Sequence, residues 1–343
     1  MFVHVGDQQH GVRRFGWVVA EAARRQVVVQ HQAGAEPEAL ARAVAIGRPA
    51  AVFFQFTDKL WGSDACAAAA SFERAVAAVE DAVTVVTLHD CPPAGPIGLR
   101  DRMRRHAYRR VASAVDVALV CSHHEAARLR SAGGVDPVVV PHFVEHRPTR
   151  PTRGVPAGRR RVVVLGFLYP GKGHHDVLQA VGRLGPGVEV IALGGPAPGH
   201  HDLVQDLQRA ARRAGTGLSI TGWVPERDLE GWLGRIEVPV VANVDPSASG
   251  SLATWIAAGR RPIVRAGAYA DEWDEVAPET TWRWAGDDPA ELAELVSGLL
   301  SEPDRTWHGG VPCALRPASI AARHLGAAGL TGAVEDRLRT ARS

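Results

Sequence analysis

The chain alternates short, valine-rich apolar runs with stretches whose apolar residues recur at helical spacing. FVHV (2–5), QVVVQ (26–30), AAVFFQF (50–56), VTVVTL (83–88), VDVALV (115–120) and PVVVP (137–141) read as strands. VRRFGWVVAEAARR (12–25), after the loop GDQQHG, has the periodicity of an amphipathic helix, and helical stretches separate most of the other runs. Runs that are apolar on both faces suit parallel strands covered on both sides. Repeated strand–helix units predict a doubly wound sheet.

HRPTRPTRGVPAGRR (146–160) interrupts the pattern with Pro, Gly and Arg and no periodicity, as a linker does. The alternation then restarts. RVVVLGF (161–167), VEVIALGG (188–195), LSITGW (218–223), EVPVVAN (237–243) and RPIVRA (261–266) read as strands. Helices are expected from about His174, His201, Glu226 and Ser249. The predicted fold class is α/β, with two Rossmann-like doubly wound parallel-sheet domains facing across a cleft. They span residues 1–146 and 161–320, joined by a linker at 147–160. A C-terminal segment, 321–343, carries weak periodicity around ASIAARHLGAAGL and can pack back on the first domain. Open α/β sheets bind ligands beyond the carboxyl ends of their strands, so the loops there are where chemistry is sought.

Composition narrows the classes. The 343 residues are 46% hydrophobic and 22% charged, as in ordinary soluble domains. A net charge of +2 gives no global case for nucleic acid, and none is expected as a partner. RDRMRRHAYRR (100–110) and the span Arg147 to Arg161 are locally cationic. Such runs are solvated faces, or surfaces for an anionic acceptor or for peripheral contact with an anionic membrane. Cys66, Cys91, Cys121 and Cys313 lack paired spacing and read as reduced thiols. No charged-then-apolar leader and no bilayer-spanning run is visible, so a cytoplasmic protein with at most peripheral membrane association is expected.

Four loops carry candidate chemistry. VLGFLYPGKGHHDVLQAVGRL (164–184) places Lys172 at a strand–loop–helix junction, where a helix amino terminus and an ammonium suit phosphate. A solvated loop lysine is the alternative. VTLHDCPPAG (86–95) places His89 and Asp90 just past a strand end, where an imidazole can bond a sugar hydroxyl or carry a proton. Asp90 can orient it or bind acceptor hydroxyls. GDQQHGVRRFG (6–16) offers Gly6 and Gly11 for close backbone approach at a helix amino terminus, with Gly11 expected at the donor phosphate, and Asp7, Gln8, Gln9 and His10 for a polyhydroxylated acceptor. FFQFTDKLWG (53–62) adds Gln55, Thr57 and Asp58 as acceptor contacts, with Phe54, Phe56 and Trp61 either core or wall. There is no H-E-x-x-H, C-x-x-C, D-x-D or G-x-S-x-G, so neither a metal nor a serine nucleophile is expected.

GFLYPGKGHHDVLQAV (166–181) resembles the G-x-x-x-x-x-K-G-x-x-x-L-x-x-A segment of GT-B glycosyltransferases, in the large, mainly retaining family 4. VTLHD (86–90), DVALVCSHHEAARLRSAGG (116–134), VVVPHFV (138–144) and TGWVPERDLEGWL (221–233) resemble further family segments in the same order. The resemblance implies a nucleotide-sugar glycosyltransferase, a hexosyltransferase using a UDP or GDP sugar as a substrate and no cofactor. It implies retention, no metal, and a hydroxyl-bearing acceptor. It implies that Lys172 binds the donor diphosphate, with Gly166 and Phe167 beside it, and that His89 contacts the donor sugar. Phe167 stands where an arginine is usual.

ALGGPAPGHHD (192–202), with Gly194, follows a strand and is expected near the nucleotide; Thr221, Gly222, Trp223 and Val224 follow the next strand and can lie along the base, with Trp223 either stacked on it or core. Tyr269, Asp271 and Glu272 lie beyond a later strand end. In DPSASGSLATWIAAGRRPIV (245–264) the family carries two glutamates, and anchoring on Gly259 and Pro262 puts Pro246 and Thr254 in their places. A variant diphosphate cradle is expected instead, from Ser247, Ser249 and Ser251 with the N–H groups of Gly250, Ser251 and Leu252 at a helix start. The competing reading is a catalytically silent GT-B protein that binds a sugar nucleotide as a partner or sensor. The same pair of sheets also serves sugar-nucleotide epimerases, which need extra carboxylates.

Overall fold

The computed structural model describes residues 1–7, 10–23, 30–32, 37–93, 98–133, 135–145, 160–246, 248–308 and 310–330. Residues 26–29 of QVVVQ, the linker up to residue 159, and the chain from 331 lie outside the described residues. The chain divides into two compact units, one of Met1–Phe143 with the chain from Cys313, the other Val144–Pro312. Residues 313–320, read from sequence as part of the second domain, thus belong to the first.

The first unit holds β1 (Phe2–His4), β2 (Gln30–Gln32), β3 (Ala51–Phe56), β4 (Val83–Leu88), β5 (Val117–Val120) and β6 (Val138–Val139). They pair in parallel in the order β2-β1-β3-β4-β5-β6. All of β3 is buried, Gln55 included, and its Phe54 and Phe56 interlock with Trp61, Phe72 and Tyr108. Phe54, Phe56 and Trp61 are therefore core. The helix Pro317–Ala327 packs along the helix Gly11–Ala23 and closes this unit.

The second unit holds β7 (Arg160–Leu165), β8 (Val188–Leu193), β9 (Gly217–Ile220), β10 (Val238–Val241), β11 (Ile263–Arg265) and β12 (Trp282–Trp284), in the order β12-β11-β10-β7-β8-β9, again all parallel. The sequence pattern did not predict β12, because three residues with arginine at the centre are too short to show a period. Cation–aromatic stacking consolidates this edge. The Arg261 and Arg305 guanidinium groups lie 3.9 and 4.6 Å from the Trp282 ring, and Arg265 lies 4.4 Å from Trp284. The order reverses between β1 and β3 in the first sheet and between β7 and β10 in the second. Those reversals open the crevices in which such sheets bind ligands.

Of the cysteines, Cys91 and Cys121 are buried, Cys66 is partly buried and Cys313 is exposed, all as free thiols. Among the described residues no helix is long and apolar enough to cross a membrane.

Arg260 is the least expected core residue. It is fully buried over Trp307 and donates to the carbonyls of Leu233, Ile236, Glu237 and Thr306 and to the Thr306 hydroxyl. It ties the end of one helix to the strand and loop that follow. Arg260→Met would fill the space but leave those carbonyls unpaired, so it should cost about 3 kcal/mol or more in urea unfolding. A loss below about 1 kcal/mol would show that water satisfies them.

Candidate functional site

In the second unit, the loops after β7 and β10 flank the reversal in strand order and bring together the lysine and serine segments. The turn after β7 is tightly packed. Gly173 has φ +85°, and a Cβ there would lie 2.2 Å from the Ala242 carbonyl oxygen. This close approach directs Lys172 inward, where it is only 5% exposed. Its Nζ donates to Ser251 Oγ at 3.0 Å and lies 5.8 Å from the Tyr169 ring. Among the described residues no carboxylate pairs with it. Burial pushes its amine down to about 8 from the usual 10.5.

Ser251 stands in the first turn of the helix Gly250–Ala257, whose N-cap is Ser249. Ser249 Oγ accepts from the Leu252 N–H at 3.2 Å and lies 3.1 Å from Ser251 Oγ, while its own N–H donates to the Tyr269 hydroxyl at 2.8 Å. The Ser249 side chain thus spends itself on the cap. Lysine can only donate, so Ser251 Oγ accepts from it, and its own proton can go to Ser249 Oγ or to a bound acceptor. The Leu252 N–H is likewise taken. A Cβ on Gly250 would meet nothing within 4 Å. What remains at this end is a positive helix terminus, a buried ammonium and one hydroxyl, an arrangement suited to an anion. Ser247 lies outside the described residues.

Thr254, where the family carries a glutamate, donates its hydroxyl to the Gly250 carbonyl at 2.8 Å and serves the helix backbone. Phe167, in the usual arginine place, is 45% exposed. His174 does not replace the missing charge. It is buried beside Lys172, and burial pushes it down to about 3. His175 instead pairs with Asp206 at 2.7 Å. Sequence reasoning missed Tyr169 and Asn243, joined by a 2.7 Å bond from Asn243 Nδ2 to the Tyr169 hydroxyl. Asn243 Oδ1 and His174 Nε2 are buried with no hydrogen-bond partner among the described residues.

The proposed base contacts converge. The Gly194 N–H donates to Thr221 Oγ1 at 3.0 Å, and a Cβ on the adjacent Gly195 would lie 3.6 Å from the Gly222 Cα. Trp223 is 60% exposed beside them, a large apolar ring open to solvent, and Val224 is partly buried. A Cβ on Gly194 would lie 2.1 Å from the Gly166 carbonyl oxygen, which holds these loops together.

In the first unit, His89 is 4% exposed and burial pushes it down to about 3. It is a neutral imidazole, not an imidazolium, at neutral pH. Its Nε2 lies 2.8 Å from Gln55 Oε1 and its ring meets Phe15 edge-on at 5.0 Å. Gln55, read as an acceptor contact, is buried and holds His89 instead. Asp90 is exposed, at φ +56°, and accepts from the buried Thr57 hydroxyl at 3.3 Å rather than bonding the imidazole. Asp58 is engaged by Arg104 at 3.0 Å and by the Tyr108 hydroxyl.

His10 accepts the Val12 N–H at 3.2 Å, so it acts as a cap at the first helix, with its pKa lowered chiefly by burial. Asp7 is exposed, and its carbonyl accepts the His10 N–H at 3.1 Å. A Cβ on Gly11 would meet nothing within 4 Å, so the fold itself does not require glycine there. Gln8 and Gln9 lie outside the described residues. No group of three or more His, Cys, Asp or Glu among the described residues could hold a metal.

No family model and no curated protein sequence matches the chain. Solved structures do. The HepE protein of Anabaena, in complex with UDP-glucose, is similar over 99% of this chain and 98% of its own, with a TM-score of 0.68 at 14% identity. Sucrose-phosphate synthase of Thermosynechococcus elongatus gives a TM-score of 0.70 at 15% identity, over 99% of this chain and 98% of its own. The lipopolysaccharide outer core galactosyltransferase WaaB gives 0.62 at 10% identity, over 96% of this chain and 98% of its own. The fold is GT-B.

The depressed Lys172 gives opposite pH trends. Below about 8 the buried ammonium is charged, favouring a bound anion and opposing folding. Between about 8 and 10.5 the folded chain binds fewer protons than the unfolded one, so the ligand-free protein should gain stability as pH rises there. A diphosphate such as UDP, held at this ammonium, should bind about tenfold or more weakly at about pH 9.5 than at about pH 7, and Lys172→Met should flatten that dependence. Calorimetric titration at both pH values checks this. Equal affinities would place the diphosphate elsewhere.

Proposed function

We propose that the protein is a glycosyltransferase that moves a sugar from a nucleoside-diphosphate carrier to a hydroxyl-bearing acceptor. The observation that carries this is the buried Lys172 bonded to Ser251 at the N-terminus of the helix Gly250–Ala257, beside the strand-order reversal. Departure of a nucleoside diphosphate develops negative charge on phosphate oxygens. A preorganised ammonium, a hydroxyl and a helix dipole stabilise that charge more as it grows, which is what lowers a barrier. On this reading they take the part that a metal plays elsewhere, and the transfer proceeds with retention. The base stacks on the exposed Trp223 beside Gly222. The UDP-glucose complex of the Anabaena protein supports a uridine carrier over guanosine, and a hexose as the sugar.

The first unit serves the hydroxyl-bearing parts. His89, neutral and fixed by Gln55, accepts a hydrogen bond from a sugar hydroxyl, and the loop after β1 meets the acceptor. The helix Leu99–Ser113 exposes Leu99 and Met103 among Arg100, Arg102 and Arg109, a face that supports peripheral contact with an anionic membrane.

The second reading, a silent sugar-nucleotide binder, draws on Pro246 and on Thr254, whose hydroxyl is spent on the Gly250 carbonyl. No carboxylate stands at either place. Incubation with a panel of nucleotide sugars and acceptors separates the two. A transferase releases nucleoside diphosphate, and Lys172→Ala should lower kcat/KM about 10²- to 10³-fold. Thermal stabilisation without release would favour the binder, and unchanged turnover in the variant would remove Lys172 from the chemistry.

A further inference from the structure

A line of hydrogen bonds crosses the first unit, from the carbonyl of Ile320 to the ring of His89. His324 Nδ1 lies 2.9 Å from the Ile320 carbonyl, and His324 Nε2 lies 3.3 Å from Thr87 Oγ1. Gln55 Nε2 lies 3.4 Å from that same hydroxyl, and Gln55 Oε1 lies 2.8 Å from His89 Nε2. Every side chain in the line is buried, His324 completely. We propose that the C-terminal helix Pro317–Ala327 sets the tautomer of His89 through this line, which makes His324 a positioning residue.

The polarity follows from the one member that can only accept. A backbone carbonyl has no proton, so His324 Nδ1 carries one and donates it. Burial pushes His324 down to about 4 and His89 to about 3, so each ring holds a single proton at neutral pH. His324 Nε2 is then bare and accepts from the Thr87 hydroxyl. The Thr87 oxygen in turn accepts from the Gln55 amide nitrogen, which turns the amide oxygen toward His89. That oxygen requires a proton on His89 Nε2 and leaves Nδ1 bare. Reversing the line would set the His324 Nδ1 lone pair against a carbonyl oxygen at 2.9 Å. A neutral imidazole with a fixed, bare Nδ1 accepts a hydroxyl proton and cannot donate one from that atom.

Packing reinforces the line. Phe15 lies 5.0 Å from the His89 ring and 5.9 Å from that of His324, so one phenyl ring limits the tilt of both. Gly16, next to it, must lack a side chain, because a Cβ there would lie 2.6 Å from Gln55 Cγ. The helix Gly11–Ala23 thus presses on the middle and both ends of the line.

The use made of His89 rests on the glycosyltransferase reading, but its tautomer does not. Full-length protein labelled with ¹⁵N-histidine, without ligand and at neutral pH, gives the protonation of each ring nitrogen by long-range ¹H–¹⁵N spectra, with His89→Gln supplying the assignment. The expected result is protonated Nε2 and bare Nδ1 at His89, and protonated Nδ1 at His324. Thr87→Val, which removes a hydroxyl at constant volume, and His324→Phe should both mix the His89 tautomers. A wild-type His89 protonated at Nδ1 overturns the proposal without any variant. So does a folded Thr87→Val protein with the His89 tautomer unmoved, whether or not His324→Phe folds. Where sugar transfer is detected, Thr87→Val should raise the donor KM about two- to tenfold with kcat little changed. Tautomer mixing in a protein that transfers no sugar would uphold the line and reject the enzyme.

Discussion

A buried ammonium that pairs with no carboxylate among the described residues is the constraint on which the second unit turns. Lys172 is held out of water by a turn that needs Gly173 against the Ala242 carbonyl, and it donates to Ser251 Oγ. Desolvation disfavours its charge, and an anion arriving at the helix terminus would restore it. The cap made by Ser249, the bond from Ser249 to Tyr269 and the close approach of Gly194 to Gly166 keep this environment in place before any ligand binds. Preorganisation of this kind is what allows charge to be stabilised without rearrangement.

The first unit works differently. Its candidate site carries no unpaired charge at the imidazole. His89, Gln55, Thr87 and His324 form a neutral, directional line whose sense is fixed at the Ile320 carbonyl. The two candidate sites therefore differ in physical kind, with charge in the second unit and hydrogen-bond polarity in the first.

Much of the fold was legible because both sheets are parallel and buried, so their strands appear as unbroken valine runs such as 162–164. The strand β12 escaped, since its stability comes from guanidinium groups stacked on Trp282 and Trp284 rather than from a pattern along the chain. Lys172 and the Ser249 cap were legible as local signals. Gln55 was misread, because a glutamine inside a strand gives no sign of which partner it faces. His324 could not be found from sequence. It meets Thr87 across 237 residues, and nothing near ARHLG marks it as more than a helical histidine. The loss of both family glutamates was legible at once, but the bond of Thr254 to its own helix was not, because a threonine inside a helix can equally face solvent or a ligand.

The central claim is that Lys172, Ser251 and the helix start receive a diphosphate. A crystal structure with UDP bound tests it directly. The account predicts a phosphate oxygen within hydrogen-bond distance of both Lys172 Nζ and Ser251 Oγ, with the backbone N–H of Gly250 or Ser251 beside it. A diphosphate held away from Lys172, with the Lys172–Ser251 bond intact and no anion at the helix terminus, would contradict it.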